Sequence, residues 1–171
     1  MTKQPNREPW LRGTRKEVVV VHRAVLHAFE LAEEDITRWC GELGVKEWNA
    51  RPGGVACVAF HVRHIARSVD RLLTYAEGRA LSEKQMTELK TEKEACTSPQ
   101  EELMELRSAL EKAASRVRAL AGEDLEAPRT VGRELLPTSL GGLLVHVAEH
   151  TQRHVGQAIT TAKVVRAAQG R

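Results

Sequence analysis

Four long segments of this chain repeat apolar residues every three or four positions, which is the period of an amphipathic α-helix. In the first segment Val18, Val21, Val25 and Phe29 share one stripe. No segment alternates apolar and polar residues between turn signals on both sides, as a half-buried strand would. The sequence therefore predicts an all-α fold, in which four helices bury their stripes against one another as a four-helix bundle.

Capping residues and breakers set the predicted bounds of the helices. Ser98–Glu101 combines an N-cap serine, a proline at the first helical position and a glutamate three residues after the serine. Thr138 or Ser139 caps the last helix, directly after Pro137. The helices are predicted over residues 15–43, 55–77, 98–121 and 138–168.

The connections between these helices differ in length and character. Residues 81–97 are charged and are predicted to form a long solvent-exposed loop, with some helical turns, between helices 2 and 3. Residues 125–137 are predicted to be a loop. We expect residues 15–168 to fold as a single domain and residues 1–14 to be a flexible N-terminal segment, because the latter are polar and contain prolines.

Composition excludes several classes of protein. With 42% apolar and 29% charged residues, the chain is too apolar for a disordered protein. The net charge of +3 is spread along the chain, so no basic patch indicates nucleic-acid binding. No apolar run is long enough to cross a bilayer, and the N-terminus has no signal-peptide core. Three scattered cysteines predict a reducing compartment, and hence a cytoplasmic protein.

Two histidines lie in the apolar stripe of the last predicted helix. His150 and His154 are four residues apart, so their Cβ atoms should lie about 5–6 Å from each other. Two imidazoles placed in this way can bind one divalent ion. His146 lies about 12 Å from His154 along the axis, at about 1.5 Å per residue, so these two cannot share an ion.

The second predicted helix carries the candidates for a third ligand, His61 and His64. They belong to a semi-polar strip beside the apolar stripe, as expected next to a groove. Periodicity places His61 nearer the stripe and weakly favours it as the ligand, which leaves both residues as candidates. On the first helix, His22 and His27 lie on the flank and are predicted to be surface residues.

A site with three neutral imidazoles suits Zn²⁺, Ni²⁺, Cu²⁺ or Fe²⁺. Three protein ligands leave a position for water or substrate, which is typical of catalytic sites. The alternative is that the histidines form a polar layer of the bundle without metal. Gln157, Tyr75 and Asn49 are candidates to orient the imidazoles from a second shell, and no acidic residue stands out as a general base.

Three motifs resemble those of the DinB superfamily of metal-binding four-helix bundles. Trp48 with Arg51-Pro52 resembles the entry to the family's second helix. His64-Ile65-Ala66-Arg67 resembles the family's H-[IL]-A element on that helix. The segment His150–Gln157 resembles the H-x-x-H-H-R-G-Q signature on the last helix. These motifs occur in the family's order, and the resemblance covers roughly residues 15–168.

The resemblance implies a site and a set of partners. It implies His64, His150 and His154 as ligands of a divalent metal ion, with zinc or nickel expected, and it leaves His61 as the alternative ligand. It also implies a homodimer, and for some members chemistry that depends on a low-molecular-weight thiol. Arg153 and Val155 depart from the family signature, which often has His and Arg at these two positions.

Two functions follow as hypotheses. The first is a metal-dependent enzyme of the DinB type, either a hydrolase or a thiol-dependent transferase, that acts on a small-molecule substrate. The second is a non-catalytic metal-binding bundle that binds a small molecule or a protein partner. A DNA-binding role is disfavoured, because the chain lacks a basic recognition helix.

Overall fold

The computed structural model describes residues 7–168 and residue 170. This part of the chain contains long and short α-helices and one pair of short strands. Their order is α1 (Val20–Cys40), α2 (Val45–Asn49), α3 (Val58–Ala76), α4 (Glu83–Thr91), α5 (Pro99–Ala119), β1 (Pro128–Val131), β2 (Leu136–Ser139) and α6 (Leu140–Ala168). The four long helices confirm the predicted all-α bundle, and each of them begins and ends within about five residues of its predicted bounds.

The long helices bury their apolar stripes in one shared core. α1 and α3 each pack against both α5 and α6, so α1 and α3 occupy opposite corners of the bundle. The centre is mainly aliphatic, with Leu26, Ile36, Ile65, Leu73 and Leu144 among its fully buried side chains. Within the described residues, no helix has both the length and the apolar character needed to cross a membrane.

The first and last helices run in the same direction. Gln152 of α6 donates a hydrogen bond to the carbonyl of Ala28 in α1 at 2.8 Å. Further along both helices, Arg166 of α6 lies 3.8 Å from Glu42, just past the end of α1. Because the contact moves forward along both helices together, α1 and α6 are parallel.

Helices α3 and α5 are also parallel, although they are consecutive long helices. Arg63 pairs with Glu102 near their starts, and Glu77 pairs with Arg116 at 2.6 Å near their ends. Two parallel neighbours need a connection that runs back along the bundle. Residues 77–98 form this connection and contain α4.

The connection is a structured element. Ser82 and Gln85 form a capping box at the start of α4. The Gln85 amide also donates to Asp70 at 2.5 Å and to Thr74 at 2.9 Å, both on α3. The predicted helical turns are present as α4 and most of the segment is exposed as predicted, but the prediction of exposure was wrong for Gln85 and Glu92, which are buried. Their polar groups are paired with α3, so the charge of the segment did not indicate its exposure.

A β-hairpin precedes α6, where the sequence predicted a loop. β1 and β2 pair antiparallel through a turn at residues 132–135. Gly132 has a φ of +75°, a conformation that glycine adopts without strain. Four-residue strands are too short for alternation to be recognised in the sequence. Ser139 ends β2 and accepts a hydrogen bond from the Gly142 amide at 3.2 Å, which confirms one of the two predicted caps of α6.

The short helix α2 closes one end of the bundle. Trp48 is fully buried, and its indole nitrogen donates to the carbonyl of Cys40 at 3.1 Å. Asn49 donates to the Cys96 carbonyl and accepts from the Cys96 amide, both at 2.8 Å. These contacts tie α2 to the end of α1 and to the segment before α5.

The predicted flexible segment of residues 1–14 is described from residue 7 onward, and residues 1–6 lie outside the described part. Residues 9–11 form a 3-10 turn that contacts α1. Arg12 binds Glu34 of α1 through two hydrogen bonds at 2.6 and 2.7 Å. The hydroxyl of Thr14 lies 3.2 Å from Nε2 of His27. Residues 9–14 therefore lie against the bundle.

Two histidines of α1 are buried, although the sequence predicted them at the surface. His22 is 0% exposed and His27 is 7% exposed. His27 has Thr14 as a partner, whereas neither ring nitrogen of His22 has a hydrogen-bond partner among the described residues. For His27 the surface prediction failed because the N-terminal segment packs on this part of α1 through Thr14, and helical periodicity contains no information about such a contact.

Replacing His22 by leucine is expected to stabilise the protein by about 1–2 kcal/mol, because a buried polar group without a partner costs about 1–3 kcal/mol. Urea denaturation at pH 7.5 measures the change in the free energy of unfolding. His27→Leu is the matched control, since it removes a paired imidazole from the same helix and should give no gain. A His22→Leu protein that is less stable than wild type would contradict the unpaired state of the ring.

Candidate metal centre

Three histidines from two antiparallel helices meet inside the bundle. His64 is on α3, and His150 and His154 are one turn apart on α6. Each of them offers a ring nitrogen, and these three nitrogens lie within 4.8 Å of one another. No other group of His, Cys, Asp and Glu in the described residues meets this criterion. The structure thus brings together the three residues that the family resemblance implies as ligands.

The geometry within the cluster is that of converging rings. Nε2 of His64 and Nε2 of His150 are 3.4 Å apart. The ring of His154 has its centroid 4.4 Å from that of His64 and 4.6 Å from that of His150. Phe60, one turn before His64, stacks on the His64 ring at 5.3 Å and 17°. The three imidazoles therefore point their nitrogens toward one small volume.

Glu92 fixes the orientation and the tautomer of His64. Its Oε2 lies 2.7 Å from Nδ1 of His64, and its Oε1 accepts a hydrogen bond from Arg71 at 2.6 Å. An ionised carboxylate can only accept, so Nδ1 of His64 carries the proton. In the neutral ring this leaves the lone pair on Nε2, which faces His150. Such a carboxylate–histidine pair is what metal-binding histidines ordinarily show.

Arg71 and His64 keep the Glu92 carboxylate ionised in a buried place. Burial alone raises the pKa of Glu92, but the hydrogen bonds from His64 and Arg71 and the charge of Arg71 outweigh it, and the net pKa is lowered. A buried carboxylate with two partners is a stable acceptor at neutral pH. It therefore holds His64 in place whether or not the ring binds an ion.

His61 lies on the outer side of the cluster, against His154. The Nδ1 atoms of the two rings are 3.0 Å apart, so one ring donates a proton to the other. His61 is 5% exposed, and the backbone carbonyl of Ala56 accepts a hydrogen bond from its ring. On the other side of the site, the hydroxyl of Ser68 lies 3.4 Å from Nδ1 of His150. Each of the three clustered histidines thus has a polar neighbour behind it.

The site disfavours protons on its imidazoles. Burial, with the neighbouring His64 next, lowers the pKa of His61 to about 4 and that of His150 to about 4. The same two causes lower the pKa of His154 to about 3. These rings are therefore neutral at pH 7. Neutral imidazoles are the form that binds a divalent ion.

The three residues that the sequence suggested for orienting the imidazoles lie elsewhere. Asn49 contacts Cys96 and Val45, at the end of the bundle. Tyr75 lines a cavity between α4 and the hairpin. Gln157 is exposed and lines a groove beside His61. None of the three has a hydrogen bond to the clustered histidines among the described contacts.

Sequence reasoning missed the residues that do support the site. Glu92 and Arg71 gave no signal, because Glu92 lies in a charged segment that read as solvent-exposed. His61 belongs to the semi-polar strip predicted on α3, and that strip does face α6, where Ser68 also lies next to His150. A buried pairing of Arg71 with Glu92 could be found only by knowing that the connection packs back on α3.

Fold and histidine cluster together define a helical bundle with a candidate metal centre. The sequence profile of the DinB superfamily matches residues 28–158. The chain therefore belongs to the DinB superfamily. A search of curated proteins finds no significant match.

Among solved structures, the chain is similar to YfiT from Bacillus subtilis, which is described as a probable metal-dependent hydrolase with an unusual four-helix bundle topology. The two share 16% sequence identity and superpose with a TM-score of 0.62. The match covers 91% of this chain and 92% of the YfiT chain. At this identity the likeness establishes the fold.

The lowered histidine pKa values predict how the metal-free protein responds to acid. Unfolded histidines take up protons near pH 6.5, whereas His61, His150 and His154 resist protonation down to about pH 3–4. The unfolded state therefore binds more protons between about pH 6.5 and 4, and stability falls as pH falls through this window. Urea denaturation of chelator-treated protein from pH 7.5 to 4.5 measures this slope.

The matched control for that titration is the double variant His150→Gln/His154→Gln, which lacks two of the three shifted groups. Its stability should depend less steeply on pH in the same window. An equal slope in both proteins would show that His150 and His154 titrate normally in the folded state.

Proposed function

We propose that this protein is a metal-dependent enzyme in which His64, His150 and His154 hold a divalent ion, with zinc or nickel expected. The single observation that carries the proposal is the convergence of three half-buried imidazoles, each with a polar partner that orients it. The donor set is all nitrogen, which suits zinc and nickel better than calcium or magnesium. Hydrolysis of a small molecule is the leading reaction class, and thiol-dependent transfer is the second.

In this proposal the residues around the three ligands have separate roles. A divalent ion there would supply a Lewis acid and would lower the pKa of a bound water or thiol. Glu92 keeps the proton of His64 on Nδ1, and Arg71 keeps Glu92 ionised. His61 orients His154 from behind. The cysteines Cys40, Cys57 and Cys96 are buried, so a thiol in the reaction would come from a co-substrate.

Support for hydrolysis comes from two directions. YfiT, which shares the fold, is described as a probable metal-dependent hydrolase. Three protein ligands also leave a coordination position for water, which is the nucleophile of hydrolysis. The competing function is a non-catalytic bundle in which the ion serves stability or sensing, and in that case the ion would be saturated by protein ligands.

The family resemblance also carries proposals about context. We propose that the protein works in the cytoplasm as a homodimer. The three cysteines of the described chain are free, which is compatible with a reducing compartment. Sedimentation velocity of the purified protein tests the dimer.

Metal content tests the ligand set directly. Elemental analysis of tag-free protein, after reconstitution with Zn²⁺ or Ni²⁺, should give about one ion per chain in wild type. His64→Ala, His150→Ala and His154→Ala should each lose the ion, because two imidazoles bind far more weakly than three. His61→Ala should keep it, because His61 lies outside the cluster, although a weaker affinity is expected.

His146→Ala is the matched control for these variants, since His146 is exposed on the same helix and lies outside the cluster. Circular dichroism confirms that each variant folds. Glu92→Gln should lower metal affinity about 10–100-fold without removing a ligand, because it removes the charge that orients His64. Wild-type protein without metal after reconstitution, or a His61→Ala protein that alone loses it, would contradict the assigned ligands.

Activity separates the two reaction classes and the non-catalytic alternative. Zinc- and nickel-loaded protein should hydrolyse p-nitrophenyl esters, and the rate should fall at least about 100-fold in folded His150→Ala protein, which lacks a ligand. A parallel assay with glutathione and 1-chloro-2,4-dinitrobenzene tests thiol transfer. Activity that survives both chelation and His150→Ala would rule out the metal enzyme. A loaded, saturated ion with no turnover in either assay favours the binding protein.

A further inference from the structure

A groove with a volume of about 710 Å³ opens beside the histidine cluster. It lies between the segment that precedes α3 and the second half of α6. Its size is within the range of pockets that hold small organic molecules. Six residues form most of its walls: Pro52, Val55, Ala56, Thr160, Thr161 and Val164.

The walls of this groove are apolar in character. The hydroxyl of Thr160 donates to the backbone carbonyl of Gly156 at 2.9 Å, and that of Thr161 donates to the carbonyl of Ala56 at 3.3 Å. The hydroxyl protons of both threonines are therefore used in hydrogen bonds to the backbone, and the threonine methyl groups add apolar surface. Val55 and Val164 remain 52% and 46% exposed, which leaves apolar surface uncovered. A bound apolar molecule would remove this surface from water.

The apolar groove contains one charged side chain, that of Arg153. Among the described lining residues, Arg153 is the one charged side chain, and Gln157 adds a neutral amide. Arg153 pairs with Glu149 one turn earlier on α6, and both side chains are about half exposed. Such a surface pair contributes less than about 1 kcal/mol, and the guanidinium has five N–H donors, so it can take a second anion.

Gly156 lines the groove and contributes no side chain to it. A Cβ atom at this position would meet no atom within 4 Å, so no neighbouring helix requires the glycine. A glycine inside a helix costs about 1 kcal/mol relative to alanine, which makes its presence here unfavourable for stability alone. The empty space over Gly156 belongs to the groove.

The groove adjoins the histidine cluster at His61, which lies between the groove and His154. His61 lines the groove, and its ring also contacts His154 at 3.0 Å. The cavity of about 470 Å³ between α3, α4 and α5 is different, because charged side chains of both signs line it, among them Arg67, Asp70 and Glu105, so it offers little apolar surface. The groove beside His61 is therefore the better candidate for a ligand.

We propose that this groove binds the substrate of the metal centre, and that the substrate is a small, largely apolar molecule with one anionic group. The apolar body lies along Val55, Val164 and the open surface at Gly156, and the anionic group binds Arg153. That the bound molecule is a substrate rests on the proposed function. The groove and its selectivity for anions can be tested without the metal.

A pair of fluorescent probes tests the groove in metal-free and zinc-loaded protein. 8-Anilinonaphthalene-1-sulfonate is aromatic and carries one sulfonate, and N-phenyl-1-naphthylamine has the same rings without charge. We expect both to bind saturably, and the sulfonate about three- to fivefold more tightly, as a half-exposed charge pair allows. Arg153→Gln should remove this difference, and Glu149→Gln should increase it, because it frees the guanidinium.

Variants at other positions show whether the probes occupy this groove. Gly156→Phe fills it and should weaken both probes at least about tenfold, while Gly156→Ala should leave binding within about twofold and slightly raise the melting temperature. Arg166→Gln removes a cation from the same helix outside the groove and should leave both affinities unchanged. Circular dichroism establishes that each variant is folded.

The outcomes separate the groove from the metal centre. Probe binding that ignores Gly156→Phe, or a sulfonate preference that survives Arg153→Gln, overturns the proposal even if the metal centre is confirmed. Loss of selectivity in Arg153→Gln and of binding in Gly156→Phe supports it even if the protein binds no metal. In that case the groove is a ligand site and the proposed enzyme falls.

Discussion

The parallel arrangement of α3 and α5 is the constraint on which the rest of the structure depends. Two consecutive long helices can be parallel neighbours only if the chain between them travels back along the bundle. In this protein that return path packs on α3 and is anchored by buried polar contacts, of which Gln85 with Asp70 and Glu92 with Arg71 are the clearest. The same path places the Glu92 carboxylate behind His64. Topology and the orientation of a candidate ligand thus have one origin.

Burying several imidazoles in an aliphatic bundle is costly unless each has a partner. The cluster meets this need with Glu92 behind His64, Ser68 beside His150 and His61 beside His154. The remaining ring nitrogens of His64, His150 and His154 face one another, and their nearest hydrogen-bonding groups are the other rings of the cluster. A divalent ion can bind such a set of nitrogens. His22 differs, because it is buried in the same bundle with neither ring nitrogen hydrogen-bonded among the described residues.

Local patterns predicted the helices and the pairing of His150 with His154, because both depend on the 3.6-residue period of a single element. They did not predict Glu92, since its position depends on how a charged connection packs on α3. Periodicity also weakly favoured His61 over His64. Both rings face α6, and which of them meets His150 is set by the longitudinal stagger of the two helices, which no local pattern contains. The family resemblance supplied that information from sequence alone.

The proposed ligands on α3 and α6 are 86 residues apart in the chain, as counted from His64 to His150. An ion held by both helices would act as a reversible cross-link between two segments of the folded chain that are far apart in sequence. Metal bound only by the folded state adds its binding free energy to the free energy of unfolding. Metal supply would then govern the lifetime of the folded protein as well as the occupancy of its site, and a chain deprived of metal would be the first to be degraded.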